Sequence, residues 1–283
     1  MKNGKKLGAL ALVLTLVLSA CGGTGGDAAK TPADAVKASQ EKMAAVKSMD
    51  STMLMEMELS MGEQKLTMNT TMNMSLFTDP AQMKIDMEID MGELGKQSMS
   101  SYAQMEGDSY TLYAEAGGAW TSQTMSADAM KQYDTRSSMD LYLTSASSFQ
   151  DAGTETLGGG EANKYTGVIS GDSLKKVMEN TGALDSLSTI IGSDPSAMEA
   201  LYKDMGDMPI TIWVDKATGY PVRYTMDMTG VMGKVMNNAM AAAGAGDEAG
   251  SLKVSKMNIS MDCSNFDKAA AFTIPEEALA AAG

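Results

Sequence analysis

Three successive stretches between residues 53 and 91 alternate apolar and polar side chains, and this pattern constrains the fold more than any other feature. A period of two places alternate side chains on opposite faces of a β-sheet, and short breaks between the stretches make the pairing antiparallel. We therefore expect an antiparallel meander with one apolar face, which other parts of the chain must cover. The positions that share this face are Met53, Met55, Met57, Leu59, Met61, Leu66, Met68, Thr70, Met72, Met74, Leu76, Met83, Ile85, Met87, Ile89 and Met91.

The first 21 residues have the parts of a bacterial export signal: a basic start, an apolar run from Leu7 to Leu18 and a small-residue site. The apolar run is too short to span a membrane and is typical of a signal peptide. Leu18-Ser19-Ala20-Cys21 resembles the bacterial lipobox, in which the cysteine receives a diacylglycerol and becomes the first mature residue. We expect residues 1–20 to be a lipoprotein signal peptide and Cys21 to anchor the chain, through acyl groups such as palmitate, on the extracytoplasmic face of the cell membrane. An ordinary secretion signal that ends near a cysteine is the alternative.

Residues 21–30 are rich in glycine and carry no apolar period. This composition predicts a flexible tether from Cys21 that reaches roughly 15 to 20 Å. Residues 31–283 are expected to form a single domain, which stands just off the membrane and still touches it.

The remaining chain alternates between helical and strand patterns. Thr31 and Pro32 begin a helix because a hydroxyl cap precedes a proline at the first helical position, and apolar residues then recur at helical spacing to Val46. Further helices are expected at about 127–133, 138–148, 172–180, 193–206 and 230–250, the last of which is either a plain covering helix or a movable lid. Further strands are expected at about 98–105, 109–115, 120–125, 153–157, 163–169, 210–214, 222–228 and 257–263.

Charge and cysteine content narrow the possible partners. The formal net charge of −14 gives the chain no electrostatic footprint for nucleic acid and repels anionic lipid head groups, so we expect the anchor to hold the protein at the membrane. Of the two cysteines, Cys21 is the expected lipidation site, which leaves Cys263 without an intramolecular partner. Cys263 follows Met257, Ile259 and Met261 in alternation, so we expect a small buried hydrophobe rather than a reactive thiol.

The sequence offers little for catalysis. It contains no histidine, which excludes catalytic Ser-His and Cys-His pairs, imidazole metal sites and acid-base catalysis by histidine. Asp86, Glu88 and Asp90 occupy alternate positions of one predicted strand, which is the pattern of a solvated sheet face rather than a calcium or glycosidase site. We therefore expect no enzymatic activity, no cofactor and no bound metal.

Methionine is the compositional anomaly, with 29 residues against 4 phenylalanines. Its unbranched, polarizable side chain fills irregular cores and also lines surfaces that accept variable apolar partners, so composition leaves a filled core and a deformable ligand cavity both open. Copper(I) binding by Met-x-Met thioethers is a third, weaker hypothesis, because histidine is absent and the repeats have strand spacing.

Three motifs carry a resemblance to a known group. They are Gly-Thr-Glu-Thr at 153–156 with Asn-Lys-Tyr-Thr-Gly at 163–167, the run from Ile212 to Arg223, and Phe-Thr-Ile-Pro-Glu-Glu at 272–277. Together they resemble the mycobacterial LppX/LprG lipoproteins, a group similar in fold to the LolA and LolB lipoprotein carriers. The resemblance covers the chain from about Thr31 onward. It implies an α+β fold, in which a strongly curved antiparallel half-barrel carries helices on its concave face and holds acyl chains between them.

The leading hypothesis is a membrane-anchored carrier or sensor that shelters an apolar ligand, namely lipid acyl chains, in a methionine-rich cavity. Its rivals are an envelope domain with a filled interior that binds another protein, and the copper(I) hypothesis. The candidate cavity-lining residues are Met53, Met55, Met57, Leu59, Met68, Met72, Met74, Met83, Ile85, Met87, Ile89, Val222, Tyr224, Met226, Met228, Met257, Ile259 and Met261.

Overall fold

A computed structural model of the protein describes residues 31–127, 135–180, 204–242 and 252–281. In these ranges eleven strands pair into one sheet, and every pairing is antiparallel. The strands are β1 (Ser48–Met61), β2 (Gln64–Thr78), β3 (Ala81–Asp90), β4 (Lys96–Glu106), β5 (Ser109–Ala116), β6 (Ala119–Ser126), β7 (Ser147–Leu157), β8 (Gly160–Ile169), β9 (Met208–Asp215), β10 (Pro221–Asp227) and β11 (Leu252–Ser264).

The described ranges also contain five α-helices and one short 3-10 turn at Gly92–Leu94. The helices are α1 (Pro32–Ala44), α2 (Thr135–Ser145), α3 (Gly171–Asn180), α4 (Thr229–Ala242) and α5 (Glu276–Ala280). The predicted start of α1 is confirmed, because the Thr31 hydroxyl accepts a hydrogen bond from the Asp34 amide at 3.2 Å and the Asp34 carboxylate accepts one from the Thr31 amide at 3.0 Å.

The strand order across the sheet is β6-β5-β4-β3-β2-β1-β11-β10-β9-β8-β7. Neighbours in the chain are therefore neighbours in the sheet along β1 to β6 and along β7 to β11. The exception is the step from β6 to β7, which lie at opposite edges. Helix α2 lies between these two strands in the sequence, and it packs against α1 and α3.

The register places the predicted alternating residues on one face. Met53 lies opposite both Met72 and Met261, Met72 lies opposite Met87, and Met87 lies opposite Met99. We call the face that carries this row the methionine face and the opposite one the polar face. The prediction of an amphipathic antiparallel meander between residues 53 and 91 is confirmed.

The main core lies between the methionine face and helices α1 to α4. Val36 and Met43 from α1 are buried, as are Leu143 from α2, Leu174 from α3 and Val231 from α4. Their partners on the sheet are side chains from β1, β2 and β8 to β11, and they include Met49, Met74, Tyr165, Ile210, Ile212, Tyr224, Met226 and Met261. The helices therefore cover the sheet on the face that the alternation predicts to need cover.

The polar face carries cross-strand hydrogen bonds and a C-terminal covering segment. The Thr52 hydroxyl donates to Asn73 at 2.9 Å and the Ser100 hydroxyl donates to Asp86 at 2.8 Å. The Phe272 ring lies 5.8 Å from that of Tyr102, and α5 then packs against β5 and β6. The segment that ends in α5 thus closes part of this face with aromatic contacts.

The prediction of a strongly curved half-barrel is wrong, since the sheet is neither closed nor strongly curled. Curvature of a sheet is introduced by β-bulges and similar irregularities. The five pairings from β1 to β6 run without any register shift, and shifts occur only between Glu58 and Leu59, between Pro221 and Arg223, and along β7. The resemblance implied more curvature than this regular ladder allows.

The helix expected at 138–148 ends early. Helix α2 stops at Ser145, and Ser147 already pairs with Val168 in the β7–β8 ladder. Pairing with β8 overrides the local helical pattern at this end. Residues 128–134, 181–203 and 243–251 lie outside the described ranges, so the helices expected at 127–133 and 193–206 and the end of the 230–250 segment stay predictions.

Glycine substitutions test this packing. An added Cβ at Gly167 would lie 2.8 Å from Cε1 of the Phe149 ring, so Gly167→Ala forces the ring to shift and should lower the free energy of unfolding by about 1 to 3 kcal/mol. Gly233 lies in α4 with no atom within 4 Å of an added Cβ, so Gly233→Ala should raise stability by about 0.5 to 1 kcal/mol. Urea unfolding of both variants provides the measurement, and equal effects would contradict this packing.

Candidate ligand-binding site

The methionine face gathers nearly all of the candidate lining residues. Register places the candidates of β1, β2, β3 and β11 on this face together with Tyr224 and Met226 of β10. Met228 lies just after β10 and packs against the main core. Their role in binding a ligand stays a prediction, but their common face follows from the ladder.

Val222 is separated from the others. It falls at the register shift between Pro221 and Arg223 and lines an open groove of about 660 Å³ at the end of the sheet. Asp262, Asn265 and the turn between β7 and β8 line the same groove. Periodicity alone assigned Val222 to the apolar set because a bulge leaves no trace in a simple alternation.

Burial divides the methionine face into two zones. Met74, Met226 and Met261 are 6%, 6% and 2% exposed and belong to the filled core, Met83 is buried in a second cluster with Ala103, and Met257 is buried as well. The remaining candidates of the face are only half buried, namely Met53, Met55, Met57, Leu59, Met68, Met72, Ile85, Met87, Ile89, Met228 and Ile259. The two readings of the methionine content therefore apply to different zones, and a partly accessible apolar surface continues outward from the core.

A groove of about 360 Å³ lies at the outer end of the methionine row. Its lining includes Met87, Ile89 and Met99, together with Gln97, Ser98 and Gly117. Met87 lies directly opposite Met99 in the β3–β4 ladder, and Ile89 lies opposite Gln97. We call this feature the β3–β4 groove, and its apolar residues offer contact to a hydrocarbon chain.

A second cavity, of about 280 Å³, lies between α1 and α2 and is called the helix cleft. Its apolar lining comes from Met43, Ala44, Met139 and Leu143, and Tyr224 of β10 also lines it. Its polar lining consists of Gln40, Arg136 and Asp140.

Sequence reasoning missed the polar residues of the helix cleft. Gln40 Nε2 donates to Asp140 Oδ1 at 2.8 Å, although these residues are 100 positions apart. The Arg136 guanidinium donates from Nη1 to the Val46 carbonyl oxygen at 3.1 Å. No local pattern joins α1 to α2, and the i, i+4 spacing of Met139 and Leu143 was the only available signal, since it indicates that this side of α2 is apolar.

Two titratable groups on the methionine face are deeply buried. Burial raises the pKa of the Cys263 thiol to about 12, and the nearby carboxylate of Asp262 adds to the shift. Burial also raises the pKa of the Tyr224 hydroxyl well above its ordinary value, with further contributions from Cys263 and Asp140. Both groups are therefore neutral at physiological pH, and the interpretation of Cys263 as a small buried hydrophobe agrees with its 4% exposure.

Charged side chains of the polar face occur in pairs. Lys84 contacts Asp86 at 2.7 Å, and Lys96 contacts Glu88 at 2.9 Å and Asp90 at 3.2 Å. These pairs agree with the solvated strand face expected for the three carboxylates. In the described part of the chain, no group of three or more Asp, Glu, Cys or His side chains is placed to hold a metal ion. None of the helices described is both long and apolar enough to cross a membrane.

Comparison with known proteins identifies the family. A family model described as a family of unknown function, DUF6612, matches residues 31–283. The chain belongs to this family. No curated protein sequence matches this DUF6612 chain significantly.

Solved structures give distant similarities to the DUF6612 chain. The lipoprotein LppX of Mycobacterium tuberculosis is similar with a TM-score of 0.46 and 12% sequence identity, covering 85% of this chain and 97% of LppX. LprF of Mycobacterium bovis is similar with a TM-score of 0.45 and 13% identity, covering 87% of this chain and 97% of LprF. These similarities agree with the resemblance carried by the sequence motifs and concern the fold alone.

The burial of Cys263 has a testable consequence. With Cys21→Ser in place, Cys263 is the remaining thiol. A rise of the pKa from 9.0 to about 12 lowers the thiolate fraction near neutral pH roughly a thousandfold, so the folded protein should react with a disulfide reagent far more slowly than the unfolded chain. The measurement is the rate at which the reagent releases its own thiol leaving group, with and without guanidinium chloride. Equal rates would contradict the burial of Cys263.

The same thiol also affects stability at high pH. Because the folded-state pKa is raised, the unfolded chain ionises first as pH rises above 9.0, and stability contributed by the neutral buried thiol is lost progressively between about pH 9 and pH 12. Cys263→Ala should remove this component of the alkaline loss of stability, which denaturant titrations at several pH values would show.

Proposed function

We propose that this protein is a membrane-anchored lipoprotein that shelters an apolar ligand, of the class of lipid acyl chains, against its methionine face. The observation that carries the proposal is the row of half-buried methionines at positions 53, 72, 87 and 99, which leads from the core at Met261 to the β3–β4 groove. A contiguous, incompletely buried apolar row is typical of a surface that contacts an apolar partner. An apolar ligand would remove that surface from water.

The chemistry of the row favours flexible hydrocarbon over a rigid ligand. Methionine is unbranched, has three rotatable bonds and adapts its shape to a neighbouring chain. Burial of apolar area contributes about 25 cal/mol per Å², so acyl chains can bind without a specific polar contact. The β3–β4 groove, at about 360 Å³, lies within the usual size range of ligand pockets.

The proposed location follows from Cys21 and from the charge of the chain. A diacylglyceryl group on Cys21 holds the protein at the extracytoplasmic face of the cell membrane, where two acyl chains give stable anchoring. The paired charges of the polar face are exposed to water. The net charge of −14 makes nucleic acid an unsuitable partner.

The direct test is chemical analysis of the purified protein. The full chain with Cys21→Ser is exported, purified and extracted with denaturing organic solvent, and the extract is analysed by mass spectrometry. Lipid at one or more molecules per protein supports the proposal. An empty extract from both a heterologous and the native host, together with no fluorescence from an apolar probe, would reject it in favour of an envelope domain that binds another protein.

A matched pair of variants tests the row itself. Met87→Gln keeps the side-chain length but replaces a thioether in the β3–β4 groove by an amide, whose desolvation should weaken binding of an apolar fluorescent probe roughly tenfold. Glu88→Gln alters the adjacent residue, which is exposed on the polar face, and should leave probe affinity unchanged.

Thermal unfolding of both variants provides the control for stability. Met87 is half buried, so the loss on substitution should be small and the fold retained at the temperature of the titration. Equal probe affinity in the two variants would place the bound probe elsewhere on the protein and contradict the assignment of the groove.

A further inference from the structure

Tyr224 carries a buried hydroxyl group. Tyr224 is 2% exposed and lies on β10 between Ile212 and Met261 of the neighbouring strands. No residue of the described ranges makes a hydrogen bond with its hydroxyl. Buried tyrosine hydroxyls ordinarily have a partner, and Tyr224 lines the helix cleft, so the cleft is where a partner for this hydroxyl would lie.

The cleft also offers a hydrogen-bond acceptor, the carboxylate of Asp140. Asp140 Oδ1 accepts the hydrogen bond from Gln40 Nε2 at 2.8 Å, which orients the carboxylate. Its second oxygen, Oδ2, receives no hydrogen bond from a described residue. The cleft therefore presents one buried donor, the Tyr224 hydroxyl, and one oriented acceptor, Asp140 Oδ2. A hydroxyl group satisfies both, because it accepts one hydrogen bond and donates another.

Asp140 is the acidic residue of the helix cleft, a cavity of about 280 Å³. An anionic head group would be repelled by its carboxylate. Met43, Met139 and Leu143 supply apolar contact beside the polar groups of the cleft.

We propose that the helix cleft is a head-group subsite for an amphiphile whose head carries a hydroxyl and no negative charge. The inference rests on the proposed function, since it specifies the polar end of a ligand whose apolar part is sheltered by the protein. It adds selectivity, which the methionine row cannot supply because apolar contact alone does not distinguish between head groups. Selectivity comes from pairing the Tyr224 hydroxyl, which a ligand without a polar head leaves unsatisfied.

The test compares three ligands with the same unsaturated C18 chain. Monoolein has an uncharged head with hydroxyl groups, cis-9-octadecene has no polar head, and oleate is anionic. Each displaces an apolar fluorescent probe from the full chain with Cys21→Ser. Monoolein should bind about five- to tenfold more tightly than octadecene, which corresponds to roughly one hydrogen bond.

Tyr224→Phe removes only the hydroxyl and should abolish the preference for monoolein while leaving octadecene affinity unchanged. Its melting temperature should not fall, because the hydroxyl removed makes no hydrogen bond within the described protein. Tyr113→Phe is the matched control, since Tyr113 is a buried tyrosine, 3% exposed, on β5 and faces the polar side of the sheet. It should keep the full preference.

A second variant tests the repulsion by Asp140 independently. Asp140→Asn removes the negative charge, so the affinity for oleate relative to monoolein should rise severalfold. An unchanged ratio would contradict the charge argument even if Tyr224→Phe proved too unstable to measure.

The outcomes separate this inference from the proposed function. Equal binding of all three ligands by the unaltered protein overturns the head-group subsite but supports the apolar shelter. Absence of binding for every ligand and for the probe overturns both. A preference for monoolein that survives in Tyr224→Phe overturns the role of the cleft.

Discussion

The antiparallel register of β11, β1, β2 and β3 is the constraint on which the rest of the structure depends. It aligns Met261, Met53, Met72 and Met87 across four strands, so that one face of the sheet is apolar along its width. A slip of one residue in any of these ladders would move a whole set of side chains to the other face. The cover of helices, the hydrogen-bonded polar face and both cavities follow from this alignment.

Helices cover the apolar face unevenly, so one part of it is a filled core and another part stays partly accessible. Where α1 to α4 pack, the sheet side chains are buried and methionine acts as an ordinary core residue. Met53, Met72 and Met87 on β1 to β3 stay half buried, and their flexible side chains suit a ligand of variable shape. The β3–β4 groove and the helix cleft then differ in chemistry, since the first offers apolar contact and the second adds a buried donor and an oriented acceptor.

The motifs in which this chain resembles the LppX/LprG group have structural roles in the fold. The Asp215 carboxylate accepts hydrogen bonds from the Thr218 amide and hydroxyl, both at 2.7 Å, and so closes the β9–β10 turn. Phe272 packs on Tyr102 and leads into α5, which covers β5 and β6. Neither motif lines the β3–β4 groove or the helix cleft. These motifs therefore form a turn and part of the cover of the sheet, and the two candidate ligand sites are lined by other residues.

Local patterning determined the strands, the amphipathic face of the sheet and the start of α1, because alternation, turns and caps act between residues close in the chain. It also identified Cys263 as a buried residue. Only the tertiary structure decided the low curvature, the separate position of Val222 and the pairing of Gln40 with Asp140. These features depend on register shifts and on contacts between elements far apart in sequence, which no period reveals. The burial of the Tyr224 hydroxyl without a hydrogen bond to a described residue is of the same kind, since it depends on which side chains the fold places around it.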